Sequence, residues 1–285
     1  MSIGQLRKEY HSQICQQIIR WTRDGETRYP NFADKGNTSS RAIAVGIVER
    51  LDCCPQDQTI SGQKAGGLFE ALTCEFLEAS FSLLSHLRPG EWYYSAQTPI
   101  SAFDQYKHLV DLERYIKGNT ELILVLGEDY IITPDIVVGR WPVSDEQVNV
   151  NETVLDTDCR LAHLTPLRSA NFETQCAILH ASISCKWTLR SDQGQNARTE
   201  ALNLIRNRKG RLPHIVSVTA EPLPTRIASL ALGTGDIDCV YHFALDELEQ
   251  TIQDLGNQDQ LDMLSMLVDG RRLRDISDLP FDLAI

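Results

Sequence analysis

The sequence lacks the features that mark membrane-spanning and secreted proteins. Among its 285 residues there is no run of about 18 consecutive apolar side chains, so no transmembrane helix is predicted. The first residues, MSIGQLRKEYHSQ, contain no apolar segment of the kind that a signal peptide carries. Together the two absences predict a soluble, cytoplasmic protein with no membrane partner.

The cysteines also lack a recognisable pattern. There are eight of them, with no CxxC pair and no spacing typical of metal ligands. Several stand in apolar runs, where a free thiol packs like a small hydrophobic side chain. We therefore expect structural thiols rather than disulfides or a zinc site, and this expectation covers Cys15, Cys53, Cys54, Cys74, Cys159, Cys176, Cys185 and Cys239.

A net positive charge is absent too. The formal charge is −12, which argues against a protein that coats nucleic acid without regard to sequence. It does not exclude a sequence-specific DNA enzyme, because the local charge decides contact with phosphate. The segment Lys186–Arg211 carries an excess of five positive charges in 26 residues. It is either a solvated helix face or an anion-binding surface.

The distribution of apolar residues predicts one α/β domain over residues 1–285. A hydrophobic content of 42% without a break in composition is enough for one large core. Periodicity predicts a mixed β-sheet, because strand, helix and strand follow one another between residues 177 and 220 as in a parallel crossover. The predicted helices are 5–22, 41–51, 68–87, 102–117 and 196–208, and the predicted strands are 130–141, 177–187, 214–220 and 239–243.

Two short motifs carry groups suited to phosphodiester hydrolysis. Pro134-Asp135 lies near the start of one predicted strand, and Ser184-Cys185-Lys186 ends the next. Carboxylates hold Mg²⁺ through oxygen ligands, and a lysine beside them can orient a water molecule. Ser184 and Lys186 alternate on one strand face, so Cys185 would offer a main-chain carbonyl while its thiol packs inward.

Two further acids could join this group. Glu200 follows on the basic helix, where it could equally be a surface ion-pair partner. Glu70 lies on the largely apolar side of its own helix, with Cys74, Leu77 and Phe81 at helical spacing. A carboxylate there needs a partner, because an unpaired buried charge is very costly. A buried salt bridge and a metal-site role both remain open for Glu70.

Other chemistries have weaker support in the sequence. The Gly-rich turn 232–236 lacks both the Walker A and the GxGxxG spacing, so a nucleotide-binding enzyme or small-molecule hydrolase is disfavoured. His180, His214 and His242 lie in or beside predicted strands, and we interpret each as a hydrogen-bonded packing residue.

Long stretches of the chain resemble the type IIF restriction endonucleases, the tetrameric enzymes whose sites contain a central CCGG. The resemblance covers nearly the whole chain and is strongest from Leu179 to Ala244. It is carried by LHASISCKWTLRSD, QNARTEALNLIRNRKGRLPHIVSVTAEP, RIASLALGTGDIDCVYHFA and DISDLPFDLA, and upstream by GLFEALTCEF and YIITPDIVV. A match of this length is far more specific than the short PD…SxK motif.

The resemblance implies a PD-(D/E)xK restriction-endonuclease-like fold and places the family's site on named residues. Asp135, Lys186, Glu200 and Glu70 fall on its catalytic and metal positions, with Ser184 and Cys185 beside them. It further implies two Mg²⁺ ions per site, 5′-phosphate ends with a four-base 5′ overhang, and a homotetramer built as a dimer of dimers. A DNA methyltransferase that protects the host is implied as a functional partner.

Base reading is also implied by the resemblance. Arg190, Asp192 and Gln193 lie in the family's recognition segment, Arg226 matches a reader of the outer G·C pair, and Gln63 matches a minor-groove probe. Arginine suits guanine and aspartate suits the cytosine amino group. The departure is Gln193, because the family usually has a second arginine there. GCCGGC is the expected site, and Gln193 leaves the inner bases open.

One alternative keeps the same fold without the chemistry. A catalytically inert, sequence-specific DNA-binding protein would share the recognition segment but would have no use for the acids and the lysine. All four positions, Asp135, Lys186, Glu200 and Glu70, are present in the sequence, which favours the enzyme.

Overall fold

The computed structural model describes residues 1–117, 131–156, 161–169, 176–189, 191–233 and 235–285, without the side chains of 191–193. Ten α-helices lie within these residues: α1 (Ile3–Gln17), α2 (Thr38–Arg50), α3 (Gly62–Ser82), α4 (His108–Lys117), α5 (Asp145–Val148), α6 (Ser191–Asn207), α7 (Pro224–Ala231), α8 (Leu245–Leu255), α9 (Gln258–Asp269) and α10 (Leu279–Leu283). The eight strands are β1 (Trp21–Asp24), β2 (Thr27–Pro30), β3 (Trp92–Ala96), β4 (Ile136–Arg140), β5 (Ile178–Lys186), β6 (His214–Thr219), β7 (Cys239–His242) and β8 (Leu273–Asp275).

A six-stranded mixed sheet forms the centre, in the order β3-β4-β5-β6-β7-β8. The pairs β3–β4 and β4–β5 are antiparallel, whereas β5 to β8 run parallel. Helix α6 connects β5 to β6, so the predicted crossover is confirmed. Helices packed against the sheet bury the apolar side chains of its central strands, including Ile183 and Val218, each fully buried. The predicted α/β class with a mixed sheet flanked by helices is confirmed.

The N-terminal region departs from the predicted helix 5–22. Helix α1 ends at Gln17, and Trp21–Asp24 forms a hairpin with β2. Gly25 lies in the turn with φ +61, a left-handed conformation that glycine adopts without steric cost. The polar stretch before α2 caps that helix, because the Asn37 side chain accepts a hydrogen bond from the Ser40 amide.

The other predicted helices have shifted boundaries. Helix α3 begins at Gly62, six residues before the predicted start, because Ser61 caps it by accepting from the Lys64 amide. The predicted helix 102–117 is helical only from His108 onwards. A short 3₁₀ turn, Ile100–Ala102, stands before it.

The sheet has strands that the apolar pattern alone did not indicate. Strand β3 pairs with β4 at the sheet edge, with side chains that are mostly half-buried. Strand β4 begins at Ile136, later than predicted, so Asp135 stands just before it. Tyr130 lies outside the described residues.

The expectation of free thiols is wrong for one pair of cysteines. Cys15 at the end of α1 and Cys53 after α2 form a disulfide, with their Cα atoms 5.5 Å apart. Their separation of 38 residues in sequence gave no spacing signal, and the pairing follows from how α1 and α2 are placed. Cys159 lies outside the described residues.

Candidate active site

Two strands bring the first acid and the lysine together. The antiparallel register pairs Ile136 of β4 with Ile183 of β5, so Asp135 faces the end of β5. Its Oδ2 atom accepts hydrogen bonds from the Lys186 ammonium at 2.9 Å and from the Cys185 amide at 2.7 Å. Burial, the largest single effect, lowers the pKa of Lys186, but the charge and the hydrogen bond of Asp135 together with the Glu200 charge outweigh burial, so that the pKa is raised.

Two further carboxyl groups approach this pair from helices. Burial raises the pKa of Glu70 on α3, and the Asp135 charge raises it further, while Lys186 acts in the opposite direction. Burial also raises the pKa of Glu200 on α6, and Lys186 and Asp135 again act in opposite directions on it. Asp135, Lys186, Glu70 and Glu200 therefore interact electrostatically as one group. We name this group the acid–lysine cluster.

The two remaining members of the lysine motif have different surroundings. The Ser184 hydroxyl lies 3.2 Å from the Ser217 hydroxyl on β6. Ser184 also lines a small pocket together with Glu200, at the point where α6 packs on the sheet. Cys185 has a buried side chain, and burial raises the pKa of its thiol, as is typical of a packing residue rather than a nucleophile.

Gln97 is a neighbour that the sequence did not indicate. It follows β3 with φ +62, a conformation that residues other than glycine adopt infrequently. Its amide donates to the Asp135 carbonyl at 3.3 Å, and its side chain lies close enough to Glu70 to oppose the rise in the pKa of that carboxyl. Gln97 thus connects the loop before β4 to α3. Backbone strain of this kind is often found at functional sites.

The acids do not form a compact ligand shell. Across the described ranges, no three His, Cys, Asp or Glu side chains lie close enough to hold a metal ion by themselves. The Lys186 ammonium pairs with Asp135 at 2.9 Å. The donor set is nevertheless made of carboxylate oxygens, which suit a hard cation such as Mg²⁺.

The residues expected to read bases have differing placements. Arg190 lies outside the described residues, and so do the side chains of Asp192 and Gln193, whose backbone forms the first turn of α6. Gln63 is exposed in the first turn of α3. Arg226 lies in the first turn of α7, with just over a third (37%) of its side chain exposed.

Arg226 contacts two acids that the sequence reasoning missed. It forms an ion pair with Asp34, and its Nη1 atom lies 3.9 Å from Oε2 of the buried Glu221. The Gly36 amide and then Arg226 hold the pKa of Asp34 below its usual range. Glu221 stands two residues after β6, and only this position after a strand could have marked it in the sequence.

Sequence comparison identifies relatives along almost the entire chain. A sequence model of the NgoMIV restriction enzyme matches residues 10–285. The type II restriction enzyme NgoMIV of Neisseria gonorrhoeae is 51% identical over 286 aligned residues, which cover 99% of this chain and 98% of that protein. The chain belongs to the NgoMIV restriction enzyme family. The expectation that it is a restriction enzyme is thereby confirmed.

Two solved structures of restriction endonucleases align with this chain at low sequence identity. The type IIF enzyme Bse634I with cognate DNA aligns over 87% of this chain and 98% of its own, with a TM-score of 0.40 and 12% identity. The PspGI–substrate DNA complex aligns over 99% and 92%, with a TM-score of 0.31 and 14% identity. At this degree of similarity we draw no functional conclusion from either structure.

Membership of the family concerns the class of enzyme and leaves individual roles to be tested. The cluster residues come from four separate segments, which are α3, the loop before β4, the end of β5, and α6. Folding brings all four segments to one edge of the sheet. A separate observation concerns membranes. In the described part of the chain, no helix has the length and apolar content that crossing a membrane would need.

Proposed function

We propose that the chain is a Mg²⁺-dependent type II endonuclease that cuts both strands of DNA at a palindrome with a central CCGG. GCCGGC is the expected site, and the products are 5′-phosphate ends with four-base 5′ overhangs. The observation that supports this proposal is the convergence of Asp135, Lys186, Glu70 and Glu200 on one edge of the sheet.

The acid–lysine cluster has the charge pattern that a divalent cation requires. Burial and the Asp135 charge raise the pKa of Glu70 and of Glu200, and the single positive charge of Lys186 only partly offsets this effect. Asp135, Glu70, Glu200 and the Cys185 carbonyl would hold Mg²⁺, with two ions per site. When bound, Mg²⁺ supplies positive charge that stabilises the phosphate as bond breaking proceeds.

The protein's own groups position the reactants. The Lys186 ammonium, held by Asp135 at 2.9 Å, is placed to orient the attacking water and to offset the charge on the phosphate. The Cys185 amide fixes the Asp135 carboxylate at 2.7 Å, so this carboxylate is oriented before the substrate arrives. Ser184 lies beside the cluster, because it lines a small pocket together with Glu200.

Sequence recognition is proposed to use elements next to this edge. Arg190, Asp192 and Gln193 would read the inner bases in the major groove, because they lie just after the lysine strand. Arg226 would read the outer G·C pair, and Gln63 would probe the minor groove. In this proposal a single domain forms each subunit of a homotetramer, and a cognate methyltransferase protects host DNA in the cytoplasm.

The first test is the cleavage of plasmids that carry one or two GCCGGC sites, with and without Mg²⁺. We expect discrete Mg²⁺-dependent cuts, and sequencing of the ends should show the four-base 5′ overhang. Discrete cuts at another sequence would retain the enzyme and place the altered base reading at Gln193. If folded protein bound the site but never cut in Mg²⁺ or Mn²⁺, an inert DNA-binding protein would replace our proposal.

A matched variant separates chemistry from binding. Asp135→Asn keeps an oxygen that can accept from the Cys185 amide but removes the negative charge. We expect cutting to fall by several orders of magnitude while specific DNA binding stays within about threefold, because the base readers lie elsewhere. Loss of binding by a folded Asp135→Asn protein would contradict this separation.

A further inference from the structure

Glu221 is a buried carboxylate outside the acid–lysine cluster. It stands two residues after β6, and 1% of its side chain is exposed. Burial raises the pKa of this carboxyl to about 7, although hydrogen bonds from two backbone amides and the Arg226 charge oppose the shift. Because burial disfavours the ionised form, a carboxylate at this position depends on the donors around it.

The two oxygens of Glu221 bind two different segments. Oε2 accepts from the Leu189 amide at 3.0 Å, and Oε1 accepts from the Leu223 amide at 3.2 Å. Leu189 directly precedes Arg190 and the recognition segment, whereas Leu223 is the N-cap of α7, which carries Arg226. One side chain therefore connects the two elements to which base reading is assigned above.

The same carboxylate faces the arginine itself. Nη1 of Arg226 lies 3.9 Å from Oε2, the oxygen that also accepts from Leu189. The other terminal nitrogen, Nη2, pairs with Asp34. Arg226 is thus oriented by two acids, of which Asp34 is half-buried and Glu221 is almost completely enclosed.

A third connection links Glu221 to the lysine strand. The Glu221 amide donates to the Thr219 hydroxyl at 3.1 Å, and that hydroxyl donates to the Lys186 carbonyl at 2.9 Å. The backbone between the end of β5 and the recognition segment is thereby bound at two points. Thr219 binds it at Lys186, and Glu221 binds it at Leu189. A chain of hydrogen bonds of this kind restricts how the segment leaves the sheet.

We propose that Glu221 is a positioning residue for base recognition, which holds the backbone entry to Arg190 and the side chain of Arg226 in a fixed relation. It touches neither DNA nor the reacting atoms, and it acts through the residues that do. This inference rests on the proposed function, because it requires Arg190 and Arg226 to read bases. It concerns discrimination between sites rather than the chemical step.

Glutamine at this position provides a specific chemical test. The Glu221→Gln side chain has nearly the same shape but only one accepting oxygen. Its amide group would face either the Leu189 N–H or the Leu223 N–H as a second donor, and the negative charge beside Arg226 would be lost. The packing volume is retained, so a change in discrimination would report on these contacts rather than on a cavity.

The experiment measures cleavage rates on a library of NCCGGN sites for the full-length protein, Glu221→Gln, Arg226→Ala and the double variant. We expect Glu221→Gln to lower the preference for the best outer pair about tenfold, within the range that one good bidentate contact provides. In the Arg226→Ala background the same change should add nothing to the loss of outer-pair preference, because Glu221 acts through Arg226. Asp275→Asn is the control and should leave the preference unchanged, because it alters a partly buried carboxylate, 16% exposed, that pairs with Arg7 and lies far from the recognition segment in sequence.

Several results would overturn the inference. Equal slowing at all sites with unchanged preference would show a merely structural role, as would a full, additive loss in the double variant. If Glu221→Gln does not fold, Glu221→Asp is measured instead, since it keeps the charge but withdraws it by one methylene. An unchanged preference for the outer base pair in Glu221→Asp would also contradict the inference. Absence of discrete cuts by the unaltered protein would instead refute the proposed function, so the two failures are distinguishable.

Discussion

The Asp135–Lys186 pair is an ion pair in a partly enclosed position. Side-chain exposures of 26% and 17% leave both groups partly enclosed. Removing one partner of such a pair leaves the other unpaired, which is usually more costly than the pair itself is stabilising. The Cys185 amide provides a second donor to Asp135, so the carboxylate would remain partly satisfied without the lysine.

Replacing the lysine should therefore affect cutting far more than folding. We expect Lys186→Ala to lower the cleavage rate by orders of magnitude, with far-UV circular dichroism unchanged. Lys8→Ala, at an exposed position on α1, is the control and should cut at the normal rate. A mild effect of Lys186→Ala in single-turnover cleavage would remove this residue from the site.

His180 illustrates a buried residue that lies outside the proposed catalytic group. Its Nε2 donates to the Leu283 carbonyl at 2.7 Å, and burial lowers its pKa to about 4. An unfolded histidine has a pKa of about 6.5. Below that value the unfolded chain takes up a proton that the folded protein does not, so the free energy of unfolding falls as the pH falls from 6.5 towards 4.

The corresponding prediction compares two pH values. Between pH 7 and pH 5 the unaltered protein should lose about 2 kcal/mol more unfolding free energy than His180→Gln, whose amide can still donate to Leu283. Urea titrations at both pH values measure this difference. Titrating groups that do not contact His180, such as His242, are present in both proteins and cancel, whereas His214, with its ring centroid 5.0 Å from that of His180, is replaced in a second pair of proteins, His214→Gln with and without His180→Gln. Parallel losses in the two proteins would show that His180 is protonated without cost in the folded state.

At the scale of elements, an aromatic cluster holds three segments against the lysine strand. Trp187, the residue after Lys186, packs against Phe32, Phe69 and Phe243, with ring centroids 5.2 to 5.9 Å apart. Phe69 directly precedes Glu70 on α3. The packing of Phe69 on Trp187 therefore sets the distance between Glu70 and the end of β5.

Two phenylalanines on one helix test this idea. Phe69 and Phe81 are both fully buried on α3, but Phe81 lies twelve residues further along the helix and packs on Trp92. We expect Phe69→Leu and Phe81→Leu to destabilise the protein by a similar amount, about 1 kcal/mol. Only Phe69→Leu should also lower the cleavage rate, since it alone adjoins Glu70. Equal rates for the two variants would separate Glu70 placement from this packing.

At the scale of the whole molecule, assembly and DNA binding depend on surfaces rather than on the core. The chain carries a net charge of −12, yet a segment with five excess positive charges includes α6 beside the proposed site. Such a concentration of positive charge allows contact with DNA phosphates in a protein whose net negative charge would otherwise repel them.

The proposed tetramer has a direct physical consequence. Light scattering should give a mass near four times 32.1 kDa, and plasmids with two sites should be cut faster than those with one. The second site binds an assembly that is already tethered nearby, which raises its effective concentration. A mass of two subunits together with equal rates on both plasmids would argue for an independent dimer.

The fold class could be predicted from the periodicity of the apolar residues and from the order of the predicted strands and helices. Alternation in β5 and the following helical pattern predicted a strand, a helix and a parallel strand, and the structure confirms these. Strand β3 was missed because its half-buried residues give a weak apolar signal at a sheet edge. The Trp21–Asp24 strand was missed because it continues the apolar positions of the preceding helix.

The residues of the candidate site could be predicted only in part from the sequence. Asp135, Lys186 and Glu200 stand in a short chemical pattern, helical spacing marked Glu70 as a buried acid that needs a partner, and the family resemblance favoured a metal-site role for it. Gln97 and Glu221 carried no such pattern, because their roles come from a left-handed turn and from burial beside distant amides. Both properties depend on contacts between segments far apart in the chain.

The sequence by itself determined the chemical inventory, the α/β class and the family, because residue types, their periods and long similarity are all properties of the linear chain. Tertiary structure alone decided which acids approach Lys186, which cysteines pair, and which carboxylate faces Arg226. The physical reason is that burial and Coulomb interactions depend on distance in space. Residues 50 positions apart, such as Asp135 and Cys185, gain their relation only when the sheet forms.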